Sequence, residues 1–261
     1  MRVACVGDIM LDVIVSTERP LAVDDDTEAT IAFSPGGQAA NVAAWVVALG
    51  GEAVVFGPRG PGAGALAVAS LEERGVTVVG PSVPRSGAVV SLVAEGRRSL
   101  ASDGGSPSWL DEVAPGPWLD DVDWLFVSGY ALLRAADPAR LVALASGMRV
   151  AVDLSSAAMI EEYGADRFRA LWQSLSPAVV FANDDEWSVC GAPFDGTLVL
   201  KHGAGGATFD GVHQPARPAD VVDVTGAGDA LAAGWFVSGV ELAMQTAADC
   251  VEQVGAQPHP A

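Results

Sequence analysis

The stretch Asp223-Val224-Thr225-Gly226-Ala227-Gly228-Asp229 leads directly into an apolar run over residues 230–237. Two glycines flanking one alanine let successive backbone amides turn toward a common point, and the helix expected over 229–238 sets its dipole behind them. Such a turn holds an anion without needing a lysine. Asp229 falls in the first helical turn, beside that anion, where a carboxylate can take the proton of a hydroxyl attacking a phosphoryl group. In isolation the same residues also describe an ordinary glycine-rich turn closed by a helix-favouring aspartate.

Upstream of this turn the chain alternates between two patterns. Short β-branched runs at 3–6, 53–56, 124–127, 149–153, 178–181 and 198–200 read as buried strands. Between them lie segments of helical spacing at 39–49, 65–74, 138–146 and 166–174. Continuous apolar strands alternating with amphipathic helices imply an α/β fold of three layers, with a mostly parallel sheet covered on both faces. Two extended stretches interrupt the alternation and fit a small β-sheet lid, at about 11–34 and 87–100. The expectation is one domain over residues 1–261 with a discontinuous lid.

Composition removes several classes of function. The chain has 14 basic and 33 acidic residues, a formal charge of −19, which disfavours nucleic acid and anionic membrane surfaces as partners. Lys201 is the only lysine and is followed by His202, so no P-loop is present. The H-R-D and D-F-G motifs of protein kinases are absent too. Three cysteines without C-x-x-C spacing argue for a reducing compartment, and no apolar run reaches about 18 residues, so a cytoplasmic location is expected. Gly62-Ala63-Gly64-Ala65-Leu66-Ala67 fits a dinucleotide turn, but the strand that follows ends at Gly80-Pro81 without an acidic residue for a ribose hydroxyl.

The segment Asp223–Asp229 resembles the C-terminal signature of the ribokinase (PfkB) sugar-kinase family, and four further motifs follow that family's order. Gly36-Gly37-Gln38-Ala39-Ala40-Asn41 is similar to its N-terminal signature, and Val6-Gly7-Asp8 with Asp12 to its first strand. Asn183-Asp184-Asp185-Glu186 matches its N-x-x-E motif, and Lys201-His202-Gly203-Ala204-Gly205-Gly206 its nucleotide-binding loop. Two departures stand out: Val224 replaces the usual Thr or Ser, and Gly57–Gly62 lacks the family's acidic residue.

The resemblance implies an ATP-dependent kinase that phosphorylates a hydroxyl of a small sugar or sugar-like substrate. Asp229 would be the general base, and the amides of Gly226, Ala227 and Gly228 an anion hole; losing one such donor costs about 10²–10³ in rate. Asp8, Asp12, Gly36, Gly37, Asn41 and, from the lid, Arg98 would orient the substrate. Asn183, Glu186, Lys201, Gly203, Gly206 and Thr225 would serve the nucleotide. Glu186 would hold magnesium, directly or through water, and Asp223 a monovalent cation, expected to be potassium. The alternatives are a nucleoside kinase of the same fold, for which Phe33 is the lid aromatic able to stack on a base, and a non-catalytic nucleotide- or sugar-binding relative. A homodimer through the exposed lid is a further expectation.

Overall fold

Along Arg2–Val6 the side chains of Val3 and Cys5 enter one apolar core while Ala4 and Val6 enter another, so this strand has no solvent-facing side. That double burial is the physical content of the continuous apolar runs. The structure is a computed structural model describing residues 1–95 and 97–259, apart from the side chains of Arg97 and Arg98. The strands are β1 (Arg2–Val6), β2 (Met10–Thr17), β3 (Thr30–Gly36), β4 (Glu52–Phe56), β5 (Thr77–Val79), β6 (Gly87–Ala94), β7 (Arg97–Asp103), β8 (Trp124–Ser128), β9 (Val150–Asp153), β10 (Val179–Asn183), β11 (Thr197–Lys201), β12 (Ala207–Phe209) and β13 (Val212–Gln214). The helices are α1 (Gln38–Ala48), α2 (Ala63–Glu73), α3 (Gly129–Arg134), α4 (Ala139–Ala145), α5 (Ala157–Tyr163), α6 (Ala165–Ser174), α7 (Asp184–Cys190), α8 (Ala227–Ser238) and α9 (Val240–Val251).

The large sheet runs β13-β12-β11-β10-β9-β8-β1-β4-β5. From β11 to β5 every neighbouring pair is parallel, and the short β12 and β13 add an antiparallel edge. One core packs α1, α2, α8 and α9 on one face; the other packs α3 to α7 on the opposite face. Because the strands run the same way, Asp8, Ser128, Asp153, Asn183 and Lys201 all emerge at one edge, the carboxyl ends where open α/β sheets place their ligands.

The small sheet, β3-β2-β6-β7, stands over that edge. Strand alternation decides which side chains look down. Asp12 and Ile14 of β2, Val89 and Ser91 of β6, and Leu100 and Ser102 of β7 line the cavity beneath. Phe33 pairs with Val13 in the alternate row, so it points away from the cavity and is 66% exposed. Phe33 therefore offers no stacking surface to a bound base. Trp109 is also spent structurally, buried beside Phe56 in the core that packs α3 to α7.

Candidate active site

A cavity of about 590 Å³ lies between the lid and the carboxyl ends of the strands, and Asp229 forms part of its floor. Gly226, with φ +77, turns the chain into α8, which begins at Ala227. Only glycine suits this position, since an added Cβ would meet Ala256 at 2.6 Å. The first helical amides have no intrahelical acceptors. Thr225, Gly226, Gly228 and Asp229 reach the cavity. Ala227 is not part of the wall, and its N–H bends back to the Val224 carbonyl at 3.4 Å. The glycine turn thus opens onto the cavity, with Ala227 its most withdrawn member.

Burial raises the Asp229 carboxyl from 3.8 to about 7; Asn41 opposes this by donating from Nδ2 to Oδ2 at 2.8 Å, while Asp153 adds to it, Lys201 opposes it and Asp12 adds to it. A group poised near neutrality is matched to general-base work. Asn41 lines the cavity, but its amide is held on Asp229 instead of standing free for a substrate hydroxyl.

Beneath this floor lies a buried ion pair that sequence reading does not show. Lys201 Nζ donates to Asp153 Oδ2 at 2.6 Å, and Asp153 has no exposed surface. Burial alone would lower the lysine, but Asp153, Glu186 and Asp229 outweigh it and keep the ammonium charged. The Lys201 side chain passes under Gly228, whose added Cβ would lie 3.3 Å from it. Its ammonium therefore lies close beneath the glycine turn.

Asn183 and Glu186 close a capping box on α7. The Glu186 amide donates to Asn183 Oδ1, the Asn183 amide to Glu186 Oε2, and Asn183 Nδ2 to Glu186 Oε1, each at 2.8 Å. Glu186 is buried, and desolvation followed by the nearby Asp153 charge raises its carboxyl. Neither residue is on the cavity wall, nor are Lys201, Gly203 and Gly206. Gly203 and Gly206 bracket a tight turn after β11 in which both take positive φ.

On the lid side, Asp8 pairs with Arg134 at 2.9 Å, and Arg134 also donates to the Gly104 carbonyl. Burial nevertheless pushes the Asp8 carboxyl upward, with the charge of Arg134 and its hydrogen bond opposing. Gly36 makes room for Asp12, because a Cβ there would come within 2.3 Å of the Asp12 carboxylate. Gly37 has φ +96 and leaves 2.2 Å between an added Cβ and the Asp8 carbonyl oxygen, so no side chain fits. Gln38 Oε1 accepts from Ser128 Oγ at 2.6 Å and Ser155 Oγ at 2.7 Å, which aligns the start of α1 with the ends of β8 and β9. Asp223 Oδ1 accepts from the Thr225 amide and hydroxyl, and Oδ2 from the Gly255 amide at 3.0 Å. The Arg98 side chain lies outside the described residues.

A single cavity thus gathers Asp12 from the lid with Asp8, Gly37, Asn41, Asp223, Thr225, Gly226, Gly228 and Asp229 from below. Arg134, Tyr130 and Ser155 join them, unforeseen from sequence because nothing local marks them, as does Gln38, which lies inside the 36–41 motif without an expected role. The family model for pfkB family carbohydrate kinases matches residues 1–256. The ATP-dependent ribose-1-phosphate kinase of Halopiger xanaduensis is 32% identical over 96% of this chain and 90% of its own length. A probable sugar kinase from Rhizobium etli superposes with a TM-score of 0.82 at 22% identity, covering 99% of this chain and 95% of that one. Adenosine kinase from Sinorhizobium meliloti gives 0.79 at 22% identity, covering 98% and 95%. These two share the fold. Motif order, site geometry and the full-length match converge: the chain belongs to the pfkB family of carbohydrate kinases, phosphotransferases with a hydroxyl acceptor.

Proposed function

We propose that the protein transfers the γ-phosphoryl group of ATP to a hydroxyl of a sugar ring, free or carried within a nucleoside, with Asp229 as the base. The observation that carries this reading is the Asp229 carboxyl, raised to about 7 at the head of α8, with the open amides of the glycine turn beside it and the cavity in front. The acceptor hydroxyl gives its proton to Asp229 as its oxygen attacks. The amides of Gly226 and Gly228, with the Ala227 amide behind them, hold the charge that develops on the transferred group. Asp12, the Gly37 backbone and the Asp8–Arg134 pair orient the acceptor under the lid. Asn41 serves it indirectly, by holding Asp229.

The nucleotide would enter from the side of Lys201, Gly203, Gly206 and Thr225. Among the described residues no group of three or more His, Cys, Asp or Glu side chains is arranged to hold a metal ion. Both oxygens of Glu186 are engaged by Asn183, so this pair fits a magnesium ion held through water and carried mainly by the phosphates. When bound, that ion supplies charge neutralisation on the phosphate oxygens. The Asp223 oxygens carry three protein donors, which suits a carboxylate that braces a monovalent-cation loop better than one ligating the ion alone.

The described wall carries Asp8, Asp12, Asp223 and Asp229 against Arg134, whose charge Asp8 already answers. That balance favours an uncharged acceptor. The name of the 32%-identical relative supplies the competing reading, ribose 1-phosphate. The outward lid face exposes Ile31, Phe33 and Val90, an apolar strip suited to pairing with a second copy. Phosphoryl transfer from ATP is tested by ADP release against ribose, hexoses, adenosine, inosine and ribose 1-phosphate. Turnover with an uncharged acceptor supports the reading; turnover with ribose 1-phosphate alone replaces it.

A further inference from the structure

The last described turn of the chain is buried directly under the base. Gly255 donates to Asp223, the Ala256 carbonyl accepts from Trp45 Nε1 at 2.9 Å, and Ala256 fills the space that glycine leaves at 226. Next comes Gln257, only 4% exposed, whose Nε2 donates to Asn41 Oδ1 at 3.1 Å. Asn41 in turn donates from Nδ2 to Asp229 Oδ2 at 2.8 Å. Two amides thus stand in series behind one carboxylate.

An asparagine amide can reverse by a half-turn that exchanges its donor and acceptor ends, and an ionised carboxylate can only accept. A reversed Asn41 would set its carbonyl oxygen against Asp229. Asp229 favours the N–H end only while it is ionised; the group behind Asn41 fixes that orientation in both protonation states. Gln257 Oε1 is buried without any hydrogen-bond partner, so the glutamine presents its donor end to Asn41 while its own oxygen goes unsatisfied. From this arrangement we infer that Gln257 is a positioning residue for the phosphoryl-transfer reaction: it locks the Asn41 amide so that an N–H, and not an oxygen, meets Asp229. The inference rests on the reading of Asp229 as base. The charged groups that face Asp229 from the surrounding elements are Asp153 on β9, Lys201 on β11 and Asp12 on β2, and Gln257 alters none of them.

The titration needs no substrate. Carboxyl carbons of aspartate are labelled, the Asp229 signal is assigned by its loss in Asp229→Asn, and its titration is followed by NMR. Gln257→Met keeps the shape without the donor, and the Asp229 midpoint is expected to rise by about one pH unit, the share of one charge-assisted hydrogen bond. Gln257→Glu, whose carboxylate would draw the Asn41 N–H toward itself and turn its carbonyl to Asp229, is expected to raise it further. Gln253→Met removes the bond from Gln253 Nε2 to the Gln257 carbonyl, loosening the tail without touching the relay, and should leave the midpoint in place. A folded Gln257→Met or Gln257→Glu protein with the wild-type midpoint overturns the proposal, as does an equal shift in Gln253→Met. Turnover retained by Asp229→Asn would instead defeat the base reading. An inactive Asp229→Asn with coincident midpoints would defeat the relay alone.

Discussion

Replacing Asp229 with asparagine should abolish phosphoryl transfer and at the same time make the protein more stable, in a pH-dependent way. In the folded state the carboxyl is held at about 7 against an ordinary value of 3.8, chiefly by burial. A raised acid binds its proton more tightly in the folded chain than in the unfolded one. Folding stability is then full below about pH 4, falls as pH climbs through the window between the two values, and levels off above 7. The gap is about three pH units, and at about 1.4 kcal/mol per unit the wild-type protein forgoes up to about 4 kcal/mol at pH 8. Asparagine does not titrate, has nearly the same shape, and can still accept from Asn41 Nδ2. For 261 residues the unfolding entropy makes each kcal/mol worth about 2 °C, so the variant should melt about 5–8 °C higher at pH 8. At pH 4 the two melting temperatures should nearly coincide. Calorimetric melts of both proteins at the two pH values decide it. A gain equal at both, or none at pH 8, would refute the argument that Asp229 is a buried, strained base.

Asp153→Asn removes the buried partner 2.6 Å from Lys201, and breaking such a pair costs about 3–5 kcal/mol, visible as a lower melting temperature. Because the Asp153 charge raises Asp229 and Lys201 lowers it, the acid limb of the rate profile of this variant should move to lower pH. Gly36→Ala forces the Asp12 carboxylate aside, so steady-state kinetics should show the acceptor KM rising about tenfold while the ATP KM stays unchanged. Asn183→Ala opens the capping box, costing about 1 kcal/mol in a thermal melt and raising the KM for magnesium-ATP through the released Glu186. Phe33→Asp, on the outward lid face, should shift sedimentation from dimer to monomer.

Much of the sheet was legible because a strand buried on both faces is a short continuous apolar run, told from the apolar helices α1 and α8 by its length and its β-branched residues. The six expected strands all formed, with ends shifted by no more than two residues. What escaped was short or lay beyond a glycine. Helices α3, α5 and α7 have six or seven residues and, unlike the equally short α4, carry no apolar repeat that extends beyond their ends, and β12 and β13 have three residues each. Helix α9 begins just past Gly239, where a positive φ separates it from α8, although Ala243, Met244 and Ala248 carry the spacing that could have revealed it.

The site divides along the same line. Asp229, Asp12 and the two glycine turns were legible because their chemistry is local to a motif. Arg134 stands 126 residues from Asp8, and Asp153 stands 48 from Lys201, so only the parallel strand order brings either pair together. Asn183 and Glu186 show the reverse case, in which a motif read as metal-binding is also a helix cap, and the cap is what their side chains make.

Asp229 as base means that it takes the proton of an acceptor hydroxyl as ATP gives up its γ-phosphoryl group. Its most direct test is phosphorus NMR of the reaction mixture, wild type against Asp229→Asn, with magnesium-ATP and the acceptor panel. A new phosphate-ester resonance together with ADP is expected in the wild-type sample and neither in the variant, with ATP binding by the variant retained in calorimetry. An ester formed by Asp229→Asn at the wild-type rate would contradict it.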